Sequence, residues 1–249
     1  MLFAESFNIK IVVKQALEED DYGYDLTTKG LSLGDFKTTA SIIAKEEGVC
    51  AGIGVAAEVF RVVDKSLHFS AVVKDGQRFK AGDTVAKIAG KASSILTAER
   101  TALNFLTRLC GIATLTRKFV DAAKPSKVKI LDTRKTIPGL RVLEKYAVRM
   151  GGGYNHRMSL RDAILIKDNH IAVVRKKEKN SSLNDIVSRE RMKAPDEQIQ
   201  IEVDTIRDFK EALSAKPDII MLDNMSMPEM CACVRLRNQA DTRIQLEIS

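Results

Sequence analysis

The sequence predicts an α/β protein built in two regions, and three observations predict it. Short apolar runs broken by turn signals extend from Lys37 to Ile95. From Thr97 the apolar residues recur at three- and four-residue spacings, the period of a helix. Beyond Lys124, strand-like segments alternate with helical ones, the pattern of parallel βαβ units.

In the first region the runs are TTASIIAKEEGVCAGIGV, LHFSAVV and KDGQRFKAGDTVAKIAG. Asp75-Gly76 and Gly82-Asp83 are turn signals between strand-like stretches, so a small, mainly antiparallel β domain is expected. Its turns are like those of lipoyl and biotinyl carrier modules, but the Met-Lys-Met or Asp-Lys-Ala setting of a modified lysine is absent. AGIG, at Ala51 to Gly54, is half of a dinucleotide fingerprint without the third glycine. Thr97 to Ala123 then predicts one long helix, or two, with Thr97 as its cap. On that start Arg100 falls in the first turn, where the helix dipole disfavours a cation.

In the second region VKILD (Val128 to Asp132) precedes a helix bearing Leu140, Leu143 and Ala147. AILIKD, IQIEVD, DIIMLD and IQLEIS follow as further strands, ending at Asp168, Asp204, Asp223 and Ser249. The first four strands run apolar and end in charge. Strand ends of an α/β barrel converge on one mouth, where such folds place their chemistry. Arg134, Lys135, His156, Arg157 and Lys167 would bring cations to that rim, opposed by Glu202 and Asp223. Each has an ordinary reading alone: Gly151 to Gly153 as a helix C-cap and loop, His156 as a loop histidine, Asp132 as a capping carboxylate, Arg161 as a solvated helix residue. Together they predict a ligand with several negative charges, since a core cannot satisfy so much charge.

Composition agrees with that class. The chain has 249 residues, 45% of them hydrophobic, and a formal net charge of +7, which suits an anionic partner. No run reaches the roughly 18 apolar residues of a membrane span, and MLFAESFNIK lacks the pattern of a secretory leader. Cys50, Cys110, Cys231 and Cys233 are too sparse for a disulfide framework and have no histidine beside them to complete a zinc pattern. A basic nucleic-acid-binding protein is a competing class, through RKKEK (Arg175 to Lys179) and RERMK (Arg189 to Lys193). Those runs hold no aromatic residue to stack on bases and read as solvated helix faces.

The segments TAERTALNFLTRLCGIATLT, ILDTRKTIPGLRVLEKYAVRMGGGYNHR and LRDAILIKDNHI closely resemble the nicotinate-nucleotide pyrophosphorylase, or quinolinate phosphoribosyltransferase, family. The similarity runs from about Leu31 to Ile248, and ERTALN, DTRKT-x-PG and GGG-x-NHR together are far more specific than a short glycine motif. The molybdenum-associated ModD-like proteins share the fold and part of these motifs; the full GGG-x-NHR and KDNH text favours quinolinate.

The resemblance implies an N-terminal α/β sandwich domain, placed at residues 1–116, and an incomplete α/β barrel at 117–249 carrying the active site. It implies a pentosyltransferase that makes nicotinate mononucleotide, pyrophosphate and carbon dioxide from quinolinate and phosphoribosyl pyrophosphate (PRPP), with Mg2+ as its cofactor. Arg134, His156, Arg157 and Lys167 match positions around the quinolinate carboxylates, and Lys135 matches a lysine on the PRPP side. Glu202 and Asp223 match acidic residues near the ribose hydroxyls and magnesium, and Thr133 and Ser249 match further substrate contacts. Lys135, Lys167, Glu202 and Asp223 are the expected catalytic groups. Arg100 matches an arginine that reaches the neighbouring active site, so a cytoplasmic homodimer or larger homo-oligomer is expected. LEIS matches the start of the family's Leu-Glu-x-Ser-Gly-Gly stretch, so the expectation is a chain ending inside a barrel strand, with quinolinate binding kept and turnover low.

Overall fold

The first helix, α1 (Ile9–Glu19), buries Val13 and Leu17 one turn apart and packs them on α3 (Ile53–Val63). This is a computed structural model that describes residues 9–179, 181–240 and 243–249; the leader-free reading of the N-terminus falls partly on residues 1–8, outside the described residues. The chain divides into two compact units, Met1–Met158 and Ser159–Ser249. The boundary expected at 116/117 falls inside α4 (Ala92–Ala122), a single helix of 31 residues.

In the first unit a short helix α2 (Leu26–Gly30) precedes β1 (Lys37–Ile43) and β2 (Gly48–Val49), and β3 (His68–Ala71), β4 (Arg78–Phe79) and β5 (Thr84–Lys91) follow α3. β1, β5 and β3 form an antiparallel sheet in that order, and β2 pairs with β4. The expected β domain therefore includes a helix that the apolar runs concealed. Val55, Ala56, Val59 and Phe60 of α3 are buried at helical spacing, and AGIG is its entry, with Gly52 at φ 88°. The Asp75-Gly76 turn does more than reverse the chain. One Asp75 carboxylate oxygen accepts from Ile53 N at 3.0 Å, and the other from the Tyr146 hydroxyl at 2.6 Å. Burial, with Asp75 beside it, pushes the Tyr146 phenol up, so it remains a donor.

Two expectations at the start of α4 are corrected. The helix begins five residues before Thr97, directly from β5, because Ala92 to Ile95 already has helical burial. Thr97 is therefore no cap, and its hydroxyl donates to Asp25 at 2.9 Å. Arg100 is the ninth residue of the helix, beyond its first turn, and the dipole argument does not apply to it. VKILD is likewise not a strand: its regular pairing is one parallel bridge, Leu131 to Tyr154, and Val128 is exposed.

After that segment α5 (Arg141–Met150) lays Leu143 and Ala147 into the core shared with Leu106, Leu109 and Ala113 of α4. Gly151 and Gly153 allow this approach. A Cβ on Gly151 would stand 2.5 Å from the Ala113 carbonyl oxygen and 2.6 Å from Thr116 Cβ, and one on Gly153 2.8 Å from Val148 Cγ1.

The second unit is a run of parallel strands in sequential order, β6 (Ile164–Ile166), β7 (Ile199–Val203), β8 (Ile219–Leu222) and β9 (Gln245–Ile248). The connections are α6 (Asp168–Lys177) with α7 (Leu183–Lys193), then α8 (Ile206–Ala215), then α9 (Met227–Ala240). Ile199, Ile201, Val203, Ile220 and Leu222 pack with helix residues Leu183, Phe209 and Cys233. The alternate face carries Gln200, Glu202, Met221 and Glu247, with Glu202, Met221 and Glu247 in register across β7, β8 and β9. With the first unit's sheets this is an N-terminal α/β sandwich followed by an incomplete α/β barrel, the expected fold class. Among the described residues no helix is long and apolar enough to cross a membrane.

The glycine contacts yield opposite expectations for two neighbouring substitutions. Gly151→Ala pushes α5 off α4 and costs about 1–3 kcal/mol, whereas Gly111→Ala, exposed on α4 with no atom within 4 Å of its new Cβ, gains about 0.5–1 kcal/mol of helix propensity. Urea unfolding of the two variants should move in opposite directions.

Candidate active site

In the first unit the DTRK segment is an irregular loop, and its position is set by one buried carboxylate. Asp132 accepts from Lys145 Nζ, from Asn155 Nδ2 and, at 2.9 Å, from the backbone N–H of His156. Lys145 is 1% exposed, and it also donates to the His156 carbonyl at 3.1 Å. Asp132 is thus no helix cap; it ties the loop bearing Thr133, Arg134 and Lys135 to the loop bearing His156 and Arg157. The Thr133 hydroxyl accepts from Lys135 N at 3.0 Å and tightens the turn. Lys135 is exposed, whereas Arg134, His156 and Arg157 are half-buried. Arg134 Nε is buried without a hydrogen-bond partner among the described residues, which suits a group that awaits an anionic ligand.

Three further side chains shape these loops. Arg141 donates to the Thr136 hydroxyl at 3.1 Å, to the Met158 carbonyl at 3.1 Å and to the Arg134 carbonyl at 3.4 Å. Glu144 is buried, pairs with Arg108 of α4 and accepts from Ile137 N at 3.4 Å. Nothing in RVLEKYAVRM marks Glu144 and Lys145 as buried, because charged residues on a short helix read as its wet face. Arg100 is exposed on α4 and makes no hydrogen bond or ion pair among the described residues.

In the second unit the remaining expected residues stand at successive C-terminal strand ends. Lys167, between β6 and α6, pairs with Glu202 of β7 at 2.7 Å, and its backbone N–H donates to His170 Nδ1 at 3.1 Å. Asp223 follows β8; its N–H donates to the Val203 carbonyl at 2.9 Å, and Asn224, in the left-handed region at φ 52°, donates its side-chain amide to Asp223 at 3.1 Å. Ser249 follows β9 and is exposed, with its N–H on the Leu222 carbonyl at 3.0 Å. Glu202 and Asp223 line one cleft of about 380 Å³ together with Asp168, Asp204, Asp208 and Glu211. Among the described residues that line it the one cation is Arg175, which is held by Glu211 at 2.5 Å. The cleft is therefore acidic and suits cations or hydroxyls rather than an anion. Arg161 lies in a turn rather than in the expected helix, and it is exposed.

The cysteines are free thiols, and a hydrogen bond with Cys110 together with burial pushes the Cys50 thiol up. The three arginines of the basic runs are paired: Arg175 to Glu211, Arg189 to Glu178 at 2.7 Å, and Arg191 to Asp218 at 2.7 Å. Such paired helix faces do not favour nucleic-acid binding.

A parallel sheet with charged C-terminal strand ends, in a chain that also carries clustered cationic loops, defines an α/β enzyme acting on charged small molecules. The chain belongs to the quinolinate phosphoribosyl transferase family: residues 25–110 match the model of that family's N-terminal domain and residues 112–249 that of its C-terminal domain. It is 42% identical over 238 residues to the probable nicotinate-nucleotide pyrophosphorylase [carboxylating] of Synechocystis, covering 95% of this chain and 78% of the relative. With the nicotinate-nucleotide pyrophosphorylase [carboxylating] of Mycobacterium leprae the identity is 40%, over 95% of this chain and 82% of the relative. NadC from Streptococcus pyogenes superposes with a TM-score of 0.88 at 41% identity, covering 100% of this chain and 85% of that structure. These findings favour the quinolinate family over the ModD-like and nucleic-acid alternatives.

The two kinds of ion pair should be separable by mutation. Glu144→Ala leaves Arg108 and the Ile137 N–H without their acceptor and costs about 1–3 kcal/mol, while Arg191→Ala, at a half-exposed pair, costs about 0–1 kcal/mol. Denaturant midpoints of the two variants measure the difference.

Proposed function

We propose that the chain transfers the phosphoribosyl group of PRPP to the ring nitrogen of quinolinate, releasing pyrophosphate and carbon dioxide and giving nicotinate mononucleotide for de novo NAD synthesis. The observation that carries this reading is the pair of cationic loops joined through Asp132, in a chain of this family. Arg134, His156 and Arg157 recognise carboxylate, and arginine does so with a planar two-pronged geometry that lysine lacks. The unpartnered Arg134 Nε supports that role. Thr133 shapes the loop, and Lys135, exposed beside it, serves the pyrophosphate. Lys167 is a further carboxylate partner, held by Glu202 until substrate arrives, and Ser249 is a further contact for PRPP.

As the bond from ribose C1 to pyrophosphate breaks, positive charge grows on the sugar and negative charge on the leaving group. Glu202 and Asp223 stabilise the sugar and Lys135 the pyrophosphate. The quinolinate nitrogen forms the new bond to C1 and becomes a pyridinium. Its positive charge then stabilises the electron pair left on the adjacent ring carbon when the carboxylate departs as carbon dioxide, and that pair takes up a proton in the carboxylate's place. No organic cofactor is needed.

Magnesium fits the residues present in a limited sense. Among the described residues no group of three or more His, Cys, Asp or Glu is arranged to hold a metal. Mg2+ is commonly bound by one or two carboxylates while substrate phosphates complete its shell, and Glu202 and Asp223 in the acidic cleft supply that number. When bound, magnesium would neutralise charge on the pyrophosphate.

The reading includes a homodimer in the cytoplasm. Arg100 lies sixteen residues along α4 from Thr116, against which Gly151 packs, about 24 Å at the helical rise. That separation from the glycine end of the cationic loop supports service to a second copy of the chain.

The test is formation of nicotinate mononucleotide from quinolinate, PRPP and magnesium, together with thermal shifts in quinolinate alone. Millimolar quinolinate should raise the melting temperature; Arg134→Ala and Arg157→Ala should abolish the rise, and Arg161→Ala should leave it. Equal losses in all three variants would reveal a diffuse basic surface, and a wild-type chain indifferent to quinolinate overturns the reading.

A further inference from the structure

The cationic loops of the first unit are joined by side chains that the reaction itself does not use. Asp132 sits one residue before Thr133 and two before Arg134, and Asn155 directly precedes His156. Asp132 Oδ1 accepts from both Lys145 Nζ and His156 N, and Oδ2 accepts from Asn155 Nδ2. Lys145 returns a bond to the His156 carbonyl at 3.1 Å, and Asn155 Nδ2 reaches the Lys145 carbonyl at 2.9 Å. His156 is thus held at both its amide and its carbonyl, by groups fixed to the other loop and to α5.

A buried ion pair contributes little net stability over an apolar replacement, because both charges are desolvated. Stability alone is therefore a weak account of a lysine and an aspartate buried at the junction of two loops. What the arrangement does fix is distance, since neither loop can move without breaking a charge-assisted bond in a poorly solvated place.

We propose that Lys145, Asp132 and Asn155 form a positioning clamp that sets the spacing between the Arg134 loop and the His156–Arg157 loop, and that this spacing selects a pyridine with two adjacent carboxylates over one with a single carboxylate. The inference rests on the quinolinate reading above. One carboxylate can be taken by either loop alone, so its binding tolerates a change in the gap. Two carboxylates on neighbouring ring carbons need both loops at once, and their binding does not.

The test is calorimetric titration of quinolinate and of nicotinate into the wild-type chain, Lys145→Met and Asn155→Ala, with circular-dichroism melts to establish folding. Lys145→Met removes the ammonium with little change of shape. Asn155→Ala loosens the same junction from an exposed position, and carries the test if Lys145→Met does not fold. Quinolinate affinity should fall about tenfold or more, because misplacement of binding groups by an ångström is costly. Nicotinate affinity should hold within about twofold, so the preference between the two ligands collapses. Parallel weakening of both ligands would mean general loosening and would overturn the clamp. A preference for quinolinate that survives in both variants overturns the clamp alone. A wild-type chain with no such preference overturns the substrate reading and this role together.

Discussion

Consecutive residues of α5 bury opposite charges, and the loops of the first unit are arranged around that fact. Residues one apart on a helix do not face the same way, so Glu144 turns to Arg108 of α4 and Lys145 turns to Asp132. An unpaired charge in either place would be strongly unfavourable. Each partner therefore draws a particular segment against the helix: Ile137 is bonded to Glu144, and His156 to Lys145 and Asp132. The cationic side chains then follow as neighbours of constrained backbone. They need no regular strand beneath them, which explains how VKILD can end in an ordered loop after a single bridge.

Much of the second unit was legible because parallel strands between helices are apolar and end abruptly. AILIKD, IQIEVD, DIIMLD and IQLEIS each coincide with a strand, and Asp168, Asp204 and Asp223 follow the first three of them. The first unit was less legible wherever tertiary contact outweighed local signal. Gly52 and the carboxylate of Asp75, 22 residues away from Ile53, start α3 where the apolar text suggested more strand. Thr97 has the side chain of a cap, but the helix had already been launched from β5. Glu144 and Lys145 were invisible for the opposite reason. Their partners lie 36 and 13 residues away, and without those partners a buried charge on a short helix is a poor expectation. Asn155 stood within a recognised motif, yet its tie to Asp132 is apparent only in three dimensions.

The parallel sheet carries one further implication, for tolerance to change. In β7 the odd positions Ile199, Ile201 and Val203 pack with the helices, and the even positions Gln200 and Glu202 occupy the other face, where Gln200 reaches Glu247 at 3.0 Å. In β8 the parity is reversed: Ile220 and Leu222 pack with the helices, and Met221 stands beside Glu202. Side-chain substitutions here can alter chemistry at one parity and stability at the other with little crossover. Insertion or deletion of a single residue has no such freedom, because a shift of one position exchanges the faces. Glu202 would be driven among isoleucines and an isoleucine delivered to the acidic cleft. Divergence in these strands is therefore open to replacement and closed to changes in length, leaving the connecting segments as the places where this half of the chain can grow.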